Sequence, residues 1–217
     1  GQYITIFEKP ADKEYYAPRH YTVTSQPEDS YYQVTVKRLV DPSDPSNKAH
    51  DGFYSNFLHS LKVGDTIHCC AVYGPHLLEA GDTSRVAAFV SVGIGITPTK
   101  AMMPLAMKTR PNVAVFHGNA DPDHQPFGTE LEDVVKKSGG IWEVCYSHIE
   151  GGERLTGKKI VDTLKSSGIE GTDKVDFYIC AGNHSMKVLD ELVSLGVERE
   201  CIHLEYFGPF QTPPEPK

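Results

Sequence analysis

At 217 residues the chain has room for one large domain or two small ones, and its 39% hydrophobic and 23% charged residues exclude a disordered or collagen-like polypeptide. The longest apolar run, Val86–Val92, is far below the roughly 20 residues that cross a bilayer, so no membrane-spanning helix is expected. A net charge of -8 with no basic cluster offers nothing to neutralise a phosphate backbone, and nucleic acid is not an expected partner.

The chain opens at Gly1 without Met and enters the strand-like Gln2–Phe7 at once, which reads as a piece of a longer protein. Apolar residues then alternate along Tyr32–Lys37 and Thr66–Cys69, the period of half-buried antiparallel strands. Between them Tyr54, Phe57, Leu58 and Leu61 mark one face of a short helix. Four or five strands and one helix predict a small antiparallel β-barrel over residues 1–82, open-ended because its first strands precede Gly1. The loop Glu79–Ser84 marks the boundary to a second domain over residues 83–217.

There the pattern becomes apolar strand and amphipathic helix in turn. Strands are predicted at Val86–Val92, Val113–His117, Trp142–His148, Val175–Cys180 and Cys201–Phe207. Helices are predicted from near Pro98 and over 128–138, 157–167 and 185–196, which gives an α/β domain with a five-stranded parallel sheet covered on both faces. The Pro-rich end, Thr212–Lys217, reads as a disordered tail.

Five cysteines, at 69, 70, 145, 180 and 201, form no C-x-x-C pair and have no histidine at zinc-ligand spacing. They read as small apolar residues in a reducing compartment, the cytoplasm. Ten histidines include none at H-E-x-x-H or other ligand spacing, so His59, His117, His148 and His203 read as solvated or packed and no metal site is expected.

The turn Gly93-Ile94-Gly95-Ile96-Thr97-Pro98 joins a buried strand to a helix that carries proline in its first turn. Glycines there let a pyrophosphate approach backbone amides and the positive end of a helix dipole. Pro98 stands where the G-x-G-x-x-G fingerprint has its third glycine, so a tight turn without a ligand remains the alternative.

Gly1-Gln2-Tyr3, Arg19-His20-Tyr21-Thr22, Gly52 to His59, Gly93 to Pro98 and Ile202 to Pro209 follow one another in the order and spacing of the ferredoxin–NADP reductase superfamily. The chain most resembles the reductase part of flavohemoglobins, and is similar also to the reductase parts of nitrate reductases and cytochrome b5 reductases, whose pattern Arg19–Ser25 follows. The resemblance implies an FAD-dependent NAD(P)H oxidoreductase module. NADH would reduce the flavin by hydride transfer, with NADPH as the alternative donor, and electrons would pass to a heme domain, globin or cytochrome b5-like, outside these residues. A flavohemoglobin-type nitric oxide dioxygenase is the first expectation and a nitrate reductase or cytochrome b5 reductase-like fragment the alternative. A non-catalytic interaction domain that keeps the fold is a second alternative.

The resemblance also implies residue roles. Arg19, with His20 beside it, would pair with the FAD pyrophosphate through a guanidinium fork that keeps its charge at any working pH. Tyr21 would lie against the isoalloxazine, and Thr22 would hydrogen-bond near flavin N5. Phe53, Tyr54 and Ser55 would sit under the FAD phosphates at a helix N-terminus, and Tyr3 would contact the flavin or its adenosine. From the residues alone Arg19 also reads as a surface ion pair, Tyr21 and Tyr3 as packing residues, and Ser55 as a first-turn serine.

In the second domain Gly93, Ile94, Gly95, Ile96, Thr97 and Pro98 would cradle the dinucleotide. Cys180 would stand beside the nicotinamide, although the family's Cys-Gly-Pro turn here reads Cys180-Ala181-Gly182-Asn183. Phe207 would cover the flavin face that the nicotinamide must reach and move aside for hydride transfer, with Tyr206, Gly208 and Pro209 around it. Glu205 would tune the flavin potential. Plain core for Cys180 and an edge-strand charge for Glu205 are the simpler readings. The loop His117–Asp123 carries acids and no arginine for a 2′-phosphate, which favours NADH.

Overall fold

A run such as Val86-Ala87-Ala88-Phe89-Val90 has no polar face, so a strand built from it has to be covered on both sides. In the computed structural model, which describes residues 1–7, 18–40, 52–79 and 82–206, that run is β3 (Val86–Val92), the middle strand of a five-stranded sheet. Its neighbours are β4 (Val113–Asn119) and β6 (Val175–Ala181), with β5 (Ile141–Tyr146) and β7 (Ile202–Tyr206) at the edges. All four pairings are parallel.

The helices divide by face as the strand period requires. Val86, Ala88, Val90, Ala114, Phe116, Phe177 and Ile179 meet α4 (Gly157–Ser166) and α5 (Asn183–Ser194) through Ile160, Leu164, Val188 and Leu192. Ala87, Phe89, Val113 and Val115 meet α2 (Thr97–Thr109) and α3 (Gly128–Lys137) through Met102, Met103, Leu131 and Val135. The order β5-β4-β3-β6-β7 reverses between β3 and β6, and the C-terminal ends of these strands are the topological switch point where open α/β sheets take ligands.

At the opposite ends of the same strands, Arg110 just after α2 donates from Nη1 to Asp176 Oδ2 at 2.7 Å and to the Asp82 carbonyl, and from Nη2 to the Glu79 carbonyl. Arg85 Nε lies 3.0 Å from Asp176 Oδ1, an ion pair without hydrogen-bond alignment. The Tyr178 hydroxyl accepts from the Glu79 backbone. This buried polar group anchors Glu79 and Asp82 to the sheet, and the chain divides into compact units Gly1–Pro75 and His76–Lys217, ahead of the loop Glu79–Ser84.

In the first unit β1 (Tyr3–Ile6) and β2 (Arg19–Thr22) pair antiparallel, and α1 (Phe53–Ser60) supplies Tyr54 to a small core with Ile4 and Ile6. The expected strands at 32–37 and 66–69 do not form ladders. Val34 makes one bridge to Val23 and Cys69 one to Ile6, while Tyr31 and Tyr32 are exposed. Alternation there marks which side chains turn inward, Val34 and Ile67 among them, but period alone supplies no hydrogen-bonding partner. The helix expected from near Pro98 begins earlier, since a 3-10 turn over Gly93–Ile96 runs directly into α2. No helix of the described residues is long and apolar enough to cross a membrane.

Candidate functional site

Four polar side chains share one register row at the switch point. His117 on β4 is opposite Ser91 on β3, Ser91 is opposite Cys180 on β6, and Cys180 is opposite Glu205 on β7. Ser91 continues the Ala87, Phe89 face of β3, so the row lies on the α2 and α3 side of the sheet. Two residues past the row, Gly93 takes φ +55°, a left-handed conformation that glycine adopts without strain. A Cβ at Gly93 would meet nothing within 4 Å, so this glycine is required by the backbone turn rather than by crowding.

Thr97 closes the turn, with its backbone N–H and its hydroxyl both donating to the Ile94 carbonyl. The first N–H groups of such a helical run have no acceptor of their own, which makes the turn formed by Gly93, Ile94, Gly95 and Ile96, ahead of Thr97 and Pro98, a ready anion cradle. Ile96 and Thr97 are buried and hold it from below.

The row is electrostatically unusual. Burial pushes the Glu205 carboxyl up to about 7, and its Oε2 is buried with no hydrogen-bond partner among the described residues. Burial, with the nearby Glu205 carboxylate, lifts the Cys180 thiol well above its ordinary range, so Cys180 is a neutral thiol and no nucleophile. Burial holds His117 down at about 4, neutral at physiological pH. Its Nδ1 lies 2.9 Å from Ser91 Oγ. Tyr206 follows Glu205 and turns to the other face of the sheet.

Strand period also sorts the residues of the first unit. Arg19 pairs with Ile6 and Tyr21 with Ile4, which places both on the face that carries Tyr54. The Arg19 guanidinium stands 5.9 Å from the Tyr54 ring centroid, and burial pushes the Tyr21 phenol up to about 12. His20 and Thr22 turn to the opposite face with Tyr3. There His20 Nδ1 lies 2.8 Å from Thr5 Oγ1 and its ring 4.4 Å from that of Tyr3. Thr22 Oγ1 is buried with no hydrogen-bond partner among the described residues.

The motif Arg19-His20-Tyr21-Thr22 is thus two surfaces, with Arg19 and Tyr21 on one and His20 and Thr22 on the other. Ser55 is committed locally: its hydroxyl donates to the Gly52 carbonyl and accepts from the Leu39 N–H, tying residue 39 to the start of α1. Phe53 packs edge-on against Tyr54 and stacks on Phe57.

Phe207, Gly208, Pro209 and the tail Thr212–Lys217 lie outside the described residues. Ser91 and His117 were not singled out by the sequence as a pair. The available signal was their common position, each at the C-terminal end of an apolar strand where a polar residue interrupts the run. Glu143, Cys145 and Glu153 place ligand atoms within 4.8 Å of one another, but Lys159 already pairs with both carboxylates and its ammonium takes the place of a cation.

No family model matches the chain. A flavohemoprotein of Oceanobacillus iheyensis is 29% identical over 218 residues, covering 97% of this chain and 52% of the relative, and the chain spans about half the length of the curated relatives it matches. Among solved structures, the flavohem-like FAD/NAD-binding domain of nitric oxide dioxygenase from Vibrio cholerae aligns with a TM-score of 0.79 at 26% identity, over 96% of this chain and 84% of that one. Ferredoxin–NADP+ reductase from Plasmodium falciparum shares the fold with a TM-score of 0.75 at 19% identity, over 95% and 82%. By sequence the chain is similar to flavohemoproteins over about half of their length, and it shares its fold with the flavohem-like FAD/NAD-binding domain and with ferredoxin–NADP+ reductase.

Proposed function

We propose that the chain is an FAD-dependent NAD(P)H oxidoreductase module, carrying electrons from NADH to a heme domain, with the globin of a flavohemoglobin-type nitric oxide dioxygenase as the acceptor. One observation carries the coenzyme half of this reading. A glycine turn that opens a helix leaves the sheet at its switch point, beside a row holding Cys180 and Glu205. The residues of the first unit fit a flavin nucleotide. Arg19 and Tyr21 share a face with Tyr54, and Thr22 Oγ1, on the other face, is buried with no hydrogen-bond partner among the described residues.

FAD, when bound, supplies two-electron acceptance from a nicotinamide and single-electron release to a heme. The protein's part is placement. Arg19 would hold the pyrophosphate of FAD, and Thr22 would offer its hydroxyl to the ring system. Amides of the Gly93–Ile96 turn would take the coenzyme pyrophosphate. Cys180, a neutral thiol, would present a soft uncharged surface to the nicotinamide, and Glu205 would hold or release a proton near neutral pH. The acidic loop Asp121–Asp123 favours NADH over its 2′-phosphate form. The Arg19–Ser25 pattern supports the second reading, in which the acceptor is the cytochrome b5-like domain of a nitrate reductase. Free cysteines at all five positions suit a reducing compartment such as the cytoplasm.

Reconstitution with FAD tests the flavin half: the chain should take up one FAD and show a bound-flavin absorption spectrum. A chain that leaves all FAD in the filtrate on ultrafiltration would contradict the reading.

A further inference from the structure

His117 is a fully buried imidazole with one nitrogen in use. Nδ1 lies 2.9 Å from Ser91 Oγ, while Nε2 has no hydrogen-bond partner among the described residues. A half-satisfied imidazole costs stability at a position where an apolar side chain of similar size would fill the same space at less cost. What the histidine adds over an apolar residue is its hold on Ser91.

That hold has a direction. Ser91 is flanked in register by His117 on β4 and by Cys180 on β6, and two residues later the chain turns into the Gly93–Ile96 cradle. A serine hydroxyl has three staggered rotamers and both donor and acceptor capacity. Bonded to His117, the Ser91 oxygen is drawn toward β4 and away from Cys180. Released, it is free to turn toward β6, about one strand spacing of 4.8 Å away, and to compete for the thiol or for an amide bound beside it.

We propose that His117 is a positioning residue for the nicotinamide end of the coenzyme: by holding the Ser91 hydroxyl toward β4 it keeps the space beside Cys180 clear for the nicotinamide carboxamide. The inference rests on the coenzyme reading above. Burial keeps the imidazole uncharged at physiological pH, so the hold adds no positive charge next to Cys180 and Glu205. The coenzyme pyrophosphate is bound by backbone amides of the turn, which the hold does not touch, so the effect falls on the orientation of the nicotinamide rather than on overall affinity.

Three variants test this in the FAD-loaded chain. His117→Leu and Ser91→Ala remove the hold from either side, and His117→Asn restores it, since an asparagine amide places a polar atom where Nδ1 stands. At saturating NADH, His117→Leu should slow flavin reduction about tenfold while the NADH dissociation constant changes less than about threefold, and His117→Asn should recover most of the rate. A second readout needs no turnover. In the FAD-free chain, saturation-transfer NMR should show the nicotinamide protons of NAD+ in contact with the protein, and His117→Leu should lose that contact while His117→Asn keeps it. A His117→Leu chain that reduces flavin at the parental rate and keeps the nicotinamide contact would overturn the inference alone. So would a His117→Asn chain as slow as His117→Leu, which would make His117 a packing residue only. A parental chain that neither takes up FAD nor shows nicotinamide contact would overturn the functional reading, and this inference with it.

Discussion

In the proposed function the partner of Arg19, an exposed residue of a four-residue strand, is an anionic group of the flavin nucleotide. If that partner is the FAD pyrophosphate, Arg19→Ala should weaken FAD binding by about 1.5–3 kcal/mol, the size of a hydrogen bond to a charged group. Fluorescence titration of FAD onto the chain measures it, and unchanged affinity would remove Arg19 from the site.

Glu205 gives a prediction of opposite character. Burial raises its carboxyl to about 7, so the folded chain binds this proton more tightly than the unfolded chain does. Stability is therefore full below the ordinary carboxylate range and declines as pH rises toward and through about 7. Glu205→Gln should flatten that decline, which urea unfolding at pH 5 and pH 8 would show. For His117 and His76, both held down to about 4 by burial, the sign reverses: stability is full above the ordinary histidine range and declines as pH falls toward 4. His117→Asn should make the acid limb of the unfolding profile shallower. The charge types at these positions were legible in the sequence. Their protonation was not, because burial is set by elements distant along the chain.

At the scale of elements, the parallel sheet was readable because each strand is an apolar run and each helix carries one apolar stripe, whereas the return of β6 to the side of β3 is not written in that alternation. The first unit was harder to read. Alternation at 32–37 and 66–69 identified inward side chains, yet each segment makes a single bridge, because pairing depends on partners that local pattern does not contain. Strand period also divides Arg19 and Tyr21 from His20 and Thr22, a separation that the four-residue motif conceals. The buried group of Arg110, Arg85 and Asp176 went unnoticed, since its members are far apart in sequence and join only when β3 and β6 lie side by side. Asp176→Ala leaves the Arg110 charge buried without its carboxylate and should cost about 3–5 kcal/mol in unfolding free energy. Because this cluster lies at the strand ends opposite the switch point, the flavin reduction rate of the folded fraction should stay within about twofold. A rate loss far beyond the loss of folded protein would show that the cluster also shapes the coenzyme site.

For the whole molecule, the proposed reading gives the flavin to one compact unit and the coenzyme to the other. Motif order along the chain carried that reading further than any single motif could. A lone Arg-x-Tyr or Gly-x-Gly is compatible with simple packing, whereas their order along one chain carries the resemblance, and the likeness to a flavohemoprotein extends over 97% of the chain. The most direct test is anaerobic mixing of the FAD-loaded chain with NADH in a stopped-flow instrument, following flavin absorbance near 450 nm, a property of the flavin itself. The account predicts single-turnover bleaching of the bound flavin, faster with NADH than with NADPH. Flavin that stays bound yet remains oxidised with either nucleotide would contradict it.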